Sequence, residues 1–282
     1  MIIIMKPAIS SGYFAMLDSY EMVKAFIEAG YYQTEINDIH FEKFMRKEDD
    51  VKAYRSFMDD LGFSIPQGHL IFMNAGNITS VDNTYAIDNL KRNLDVFYEL
   101  GVKAAVLHYS NFGTDWDPID QWFDVRIDAL NKLIDYIKDT DIVICLENLS
   151  RVHDFDAGHL LKMCKAVDDK SHIGICLDTG HLNISKFGNQ YDFIMQAGEY
   201  LKAMHVHDNK GEHDGLIGVA CDSHMMPFDG GNVNFDDVRR GVKELNYQGI
   251  FSFELGNHTT PLEMKKIQAK YLLEIYNAYF AF

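Results

Sequence analysis

The chain has 282 residues, 47% hydrophobic and 13% aromatic, which is enough for a sizeable core and excludes a disordered polymer. Lys and Arg number 26 against 42 Asp and Glu, a formal net charge of −16. That balance argues against a nucleic-acid partner, whose phosphates are bound by cations that displace counterions, and favours a small-molecule substrate.

The first apolar run, at 2–5, is too short and wrongly flanked for a signal peptide and reads as a strand. Further strand-length runs follow at 32–36, 63–69, 104–108, 142–147, 173–178, 203–207 and 249–254, nearly continuous in Val, Ile and Phe as parallel strands covered on both faces should be. Helix-period stretches lie between them, among them 81–100, 123–137 and 262–279. Asp82 and Asn234 are candidate N-caps, and Gly62 and Gly101 candidate residues just past helix ends. Eight strand–helix repeats without a linker predict an α/β (β/α)8 TIM barrel, a single domain over 1–282. The segment 208–234 holds five Gly and two His without periodicity, and a loop of that length in a compact barrel is usually functional. Cys145, Cys164, Cys176 and Cys221 show no CxxC spacing and read as buried free thiols. No apolar run has the length of a membrane span, so a cytoplasmic protein is expected.

The strand ends carry the chemistry. Strand three ends in His69, four in His108, five in Glu147-Asn148, and six in Asp178-Thr179-Gly180-His181. Strand seven carries His205-Val206-His207-Asp208 and strand eight ends in Glu254. A barrel gathers these ends at one mouth. Any one of them could be an ordinary hydrogen-bonded or capping group. Six successive ends bearing ligand-type residues are harder to explain that way, because burying so many acids and imidazoles is costly without a compensating cation. Glu35, at the end of strand two, reads first as an ion-pair partner, with support of the site as the alternative. Tyr109, Phe112, Trp116 and Trp122 could wall a sugar ring or pack a loop. Lys210 and Arg151 read as solvated side chains or donors to substrate oxygens. There is no phosphate-cradling Gly motif, nucleophile elbow or dinucleotide fingerprint.

Glu147-Asn148, Asp178-Thr179-Gly180-His181, His205-x-x-Asp208 and Glu254 resemble the xylose-isomerase-like TIM barrels, a superfamily of sugar isomerases and epimerases, dehydratases and endonuclease IV-type apurinic endonucleases. The resemblance implies that Glu147, Asp178, His205 and Glu254 hold one Mn2+, Mg2+, Co2+ or Zn2+, with His205 rather than His207 as the ligand. It also implies that Glu147 and Glu254 shuttle a proton through an ene-diolate in a sugar, sugar-phosphate or keto-inositol isomerase or epimerase. His69, His108, His181, Asp222 and His224 would contact substrate or bind additional metal. The last possibility belongs to the alternative, an endonuclease IV-type phosphodiesterase with two or three Zn2+. A dehydratase or C-glycoside-cleaving activity is a further alternative. Where the family form reads Gly-Glu-Gly, this chain has Phe228-Asp229-Gly230-Gly231-Asn232. A homo-oligomer is left open.

Overall fold

Strands and helices alternate along the whole chain. The computed structural model describes residues 6–80, 82–110, 122–150, 156–185, 188–256 and 259–281. The strands are β1 (Pro7–Ile9), β2 (Gln33–Ile36), β3 (Ser64–His69), β4 (Ala104–Leu107), β5 (Val143–Glu147), β6 (Ile173–Asp178), β7 (Leu201–Val206) and β8 (Ile250–Phe253). The helices are α1 (Ser19–Ala29), α2 (Asp38–Met45), α3 (Val51–Asp60), α4 (Met73–Gly76), α5 (Thr84–Leu100), α6 (Phe123–Ile137), α7 (Gly158–Ala166), α8 (Thr179–Ile184), α9 (Gln190–Ala197), α10 (Phe235–Glu244) and α11 (Leu262–Ile275). From β2 to β8 each strand pairs in parallel with the next, and β1 pairs in parallel with β8. Between β1 and β2 the ring is drawn together by a bridge from Ser10 to Glu35 and by Thr34 Oγ1, which donates to Ile9 O at 2.6 Å. The result is a (β/α)8 TIM barrel.

Strand alternation sorts the side chains into two populations. On β5, Ile144 and Leu146 join the large core between sheet and helices. Cys145 instead packs with Ala104, Val106, Cys176 and Ala203 in a separate cluster of small residues inside the barrel. Two residues beyond Val106, Cys145, Cys176 and Ala203 come His108, Glu147, Asp178 and His205. The same period that fills the barrel floor therefore delivers the polar groups to its rim.

Sequence expectation and structure part at the ends of elements. The strand expected at 2–5 lies outside the described residues, and the first described strand is Pro7–Ile9, paired with Phe251–Phe253. Its short apolar content is masked by Pro7, tolerated as the first residue of a strand, and by the two serines that follow it. Helix α5 starts at Thr84; Asn83 stands at the N-cap position without a side-chain cap bond, and Asp82, one residue earlier, accepts from Thr84 N at 3.3 Å. The final helix passes into a π-turn at Tyr276–Phe280. Asn234 caps α10 through Asp237 N, and Gly101 ends α5 at φ +82°. The four cysteines are free and buried. Among the described residues no helix is long and apolar enough to cross a membrane.

Candidate metal centre

Four histidines at the rim share one design. His69 Nδ1 donates to Leu70 O at 2.8 Å, and His181 Nδ1 to Asn148 O at 3.0 Å. His224 Nδ1 donates to Glu254 O at 3.0 Å, while His205 uses its other nitrogen, Nε2, to donate to Glu35 Oε1 at 2.7 Å. A carbonyl or carboxylate can only accept, so the outward nitrogen of each ring carries a proton. In a neutral ring the inward nitrogen is then a lone pair. Those inward nitrogens face carboxylates, and in the case of His69 a further imidazole as well. His69 Nε2 lies 3.2 Å from His108 Nε2 and 3.4 Å from Glu147 Oε2. His205 Nδ1 lies 3.2 Å from both Glu147 Oε1 and Glu254 Oε2 and 3.8 Å from Asp178 Oδ2. His181 Nε2 and His224 Nε2 each lie 3.1 Å from Asp222 Oδ2.

Acceptor facing acceptor is stable only with a cation or extra protons between them. The protonation equilibria express the second solution. Burial pulls His69 and His224 down, but neighbouring carboxylates outweigh it, Glu147 for the first and Asp222 with Glu254 for the second, and hold them up to about 9 and about 10. Burial likewise opposes charge on His181 and His205, yet both are raised well above the ordinary imidazole value by acidic neighbours. Glu147, Asp178 and Asp222 are correspondingly lowered, against their burial, by the imidazoles around them. At the rim, His108 is lowered instead, because burial dominates. One buried carboxylate oxygen, Asp222 Oδ1, keeps no hydrogen bond even so, and Glu147 Oε2 is 2.9 Å from His108 Nε2. Nitrogen and oxygen donors in this arrangement fit a borderline divalent ion such as Zn2+, Mn2+ or Co2+.

The structure brings every expected site residue to this mouth. Glu147, Asp178, His205 and Glu254 offer ligand atoms within 4.8 Å of one another, and so do His69, His108 and Glu147. Asp222 joins His181 and His224 into a third set. Glu147 is shared by the first two sets. Asp222 and His224 arrive on the loop after β7, which is pinned by backbone bonds of 2.8 Å between Asp208 and Met225 in both directions. Asp208 Oδ1 accepts from Asn209 N and Val233 N at 2.9 and 3.0 Å.

Three supporting residues were weighed lightly or missed. Glu35 is buried and braced by Ser252 Oγ, which donates to its Oε2 at 2.7 Å. Ser252 could have been found as the residue two before Glu254, on the same side of the strand. Asn148 accepts from Asp178 N at 2.7 Å and donates to Asp178 O at 3.0 Å, fixing the rim of β6 to that of β5. Tyr109 is buried under Arg126, whose guanidinium is 5.2 Å from its ring centre, so this aromatic packs rather than walls the mouth. Phe112, Trp116 and Arg151 lie outside the described residues, and Lys210 is exposed. Beside His224 a cavity of about 310 Å³ is bordered by Tyr13, Met225, Leu255 and Gln268.

A family model described as "Xylose isomerase-like TIM barrel" matches residues 23–275. The uncharacterized protein MJ1311 of Methanocaldococcus jannaschii is 26% identical over 73% of this chain and 68% of its own length. A probable endonuclease 4 of Mycoplasma pneumoniae is 26% identical over 61% of this chain, and the match spans 60% of that relative. Among solved structures, a D-psicose 3-epimerase determined with D-fructose superposes with a TM-score of 0.80 at 17% identity, covering 98% of this chain and 99% of that one. A D-psicose 3-epimerase from Clostridium cellulolyticum H10 reaches 0.81 at 16%, covering 98% and 99%. At such identity the likeness concerns the fold.

Proposed function

We propose, from the premise that the chain belongs to the xylose isomerase-like TIM barrel family, that it is a metal-dependent phosphoester hydrolase with up to three ions at the barrel mouth. The observation that carries this reading is the set of four imidazoles whose outward nitrogens are spent as donors while their inward nitrogens face carboxylates or another imidazole. Glu147, Asp178, His205 and Glu254 would hold one ion, His69, His108 and Glu147 a second, and His181, Asp222 and His224 a third. When bound, such ions neutralise charge on phosphoryl oxygens and lower the pKa of an attacking water. The chain's part is placement. Glu147 turns one oxygen to each of two sets, Glu35 fixes the His205 ring, and the barrel floor of Ala and Cys keeps bulk away from below. Substrate reaches the site from the Glu254 side, where that carboxylate is about one-quarter exposed at 27%. The names of the endonuclease 4 relatives support a phosphoester of a sugar–phosphate linkage as the substrate class.

A second reading keeps one ion in the Glu147–Asp178–His205–Glu254 set and makes the protein a sugar isomerase or epimerase. It is favoured by the convergence of Glu147 and Glu254 on His205 Nδ1, both at 3.2 Å, which gives two carboxylates at one centre for proton abstraction and return. The sequence alone points first to this reading; the assembly of His69, His108, His181, Asp222 and His224 into further donor sets shifts the weight to the hydrolase. Elemental analysis of the purified protein with two assays decides. The hydrolase predicts two or three ions per chain and cleavage of an activated phosphodiester or an abasic oligonucleotide. A single ion, with deuterium from D2O entering ketoses beside the carbonyl and no phosphoester cleaved, would overturn it.

A further inference from the structure

His207 was set aside by its sequence spacing, yet it is fully buried at the centre of the mouth. Its backbone is clamped on both sides by Thr179 Oγ1, which donates to His207 O at 2.8 Å and accepts from His207 N at 3.1 Å. Its ring fits because residue 180 is glycine: a Cβ there would stand 2.0 Å from His207 Cε1. Nε2 lies 3.0 and 3.1 Å from the two oxygens of Asp178 and 3.7 Å from the unpartnered Asp222 Oδ1. The ring also stacks on His224, with centroids 4.1 Å apart and planes within 12°.

We infer that His207 is a positioning residue that ties two metal pockets together, holding Asp178 by a donated hydrogen bond and His224 by ring stacking. This rests on the multi-ion reading above. His207, His224 and Glu254 do offer ligand atoms within 4.8 Å of each other. However, imidazole lone pairs lie in the ring plane, and two parallel rings 4.1 Å apart cannot both aim at one ion. By contrast, Nε2 sits nearly equidistant from both Asp178 oxygens, as a donor shared by a carboxylate does, and these contacts are shorter than the 3.4 Å from Nδ1 to Asp208 O, so the ring proton belongs on Nε2.

Two substitutions separate the contacts. His207→Phe keeps a ring and loses the donor; His207→Gln keeps a donor at the reach of Nε2 and loses the ring. Apo protein is titrated calorimetrically with Zn2+, using Asp222→Asn to identify the step that belongs to the His181–Asp222–His224 pocket. His207→Phe should weaken the Asp178 pocket by roughly 10- to 100-fold while the His224 step holds. His207→Gln should preserve the first and weaken the second by roughly 2- to 12-fold. If both variants keep all affinities and only their melting temperatures fall, His207 is packing alone and the inference is overturned. Loss of one whole ion in both variants, with the remaining steps unchanged, would make it a ligand instead. Should the parent chain bind a single ion, the multi-ion reading fails, whereas the two variants still test the hold on Asp178.

Discussion

Individual protons and hydrogen bonds decide what the mouth can bind. Glu35 holds the Nε2–H of His205 and thereby fixes which nitrogen faces the other ligands. Partners of this kind typically contribute 10- to 100-fold to metal affinity. Glu35→Gln, which retains an acceptor but loses the charge, should weaken Zn2+ binding within that range, read by competition with a chromophoric chelator. Imidazoles that take an ion must be deprotonated, so on the proposed reading uptake of ions would release protons from His69 and His224 at pH values below about 9 and about 10. The sign for the metal-free chain follows from the same shifts. Groups raised on folding give stability that is fully present below about 6.5, their unfolded value, and lost as pH climbs through the folded values. The apo melting temperature should therefore fall between about pH 7 and pH 10, and the gap between apo and Zn2+-loaded protein should widen. A flat apo profile over that interval would contradict the ion-pair network.

At the scale of elements, the loop after β7 is the most exposed to failure, because it delivers Asp222 and His224 with only a short 3-10 turn, Gly218–Cys221, ahead of them. Asp208 Oδ1 anchors it through two backbone amides. Asp208→Ala should cost on the order of 1–3 kcal/mol in urea unfolding and reduce the bound ions measured by mass spectrometry, with the Glu147–Asp178–His205–Glu254 set retained. A variant that keeps its full ion content would mean the loop is held by other contacts. How much of this was legible follows from periodicity. Strands β4, β5 and β6 announce themselves because each is a nearly continuous apolar run that ends in, or is followed at once by, a polar residue, and their rim residues are found by counting two from the floor. β1 is quiet in the sequence because Pro7–Ile9 is short and the isoleucines just before it are louder. Joining Asp222 to His181 was beyond any local pattern, since 41 residues separate them and only the folded loop brings them to 3.1 Å. The family resemblance, rather than spacing, suggested that those residues belong together. Glu35 and Ser252 look ordinary alone and gain meaning only across a barrel seam that closes 217 residues of separation.

Across the whole molecule, ions at the rim would tie together the ends of β3 through β8 and act as staples on the barrel. An ion present at 100 times its dissociation constant stabilises the folded state by about 2.7 kcal/mol. Chelation should accordingly lower the melting temperature, and re-addition of Zn2+ should restore it. An unchanged midpoint under excess chelator would mean that the rim holds its shape by protons alone. The shared carboxylate of Glu147 gives this architecture a particular failure mode. Most ligands serve a single ion, so their loss would degrade the centre one step at a time. Glu147 has no such redundancy: Oε2 belongs with His69 and His108, and Oε1 with His205. On the three-ion reading, a lineage that replaced this one side chain would keep only two donors, His69 and His108, at one site and three, Asp178, His205 and Glu254, at another, so a single mutation would weaken two sites at once. Glu147→Ala should correspondingly lose the ion of the His69–His108 set and hold that of the Asp178–His205–Glu254 set more weakly, with the Asp222 pocket unchanged when its metal content is counted.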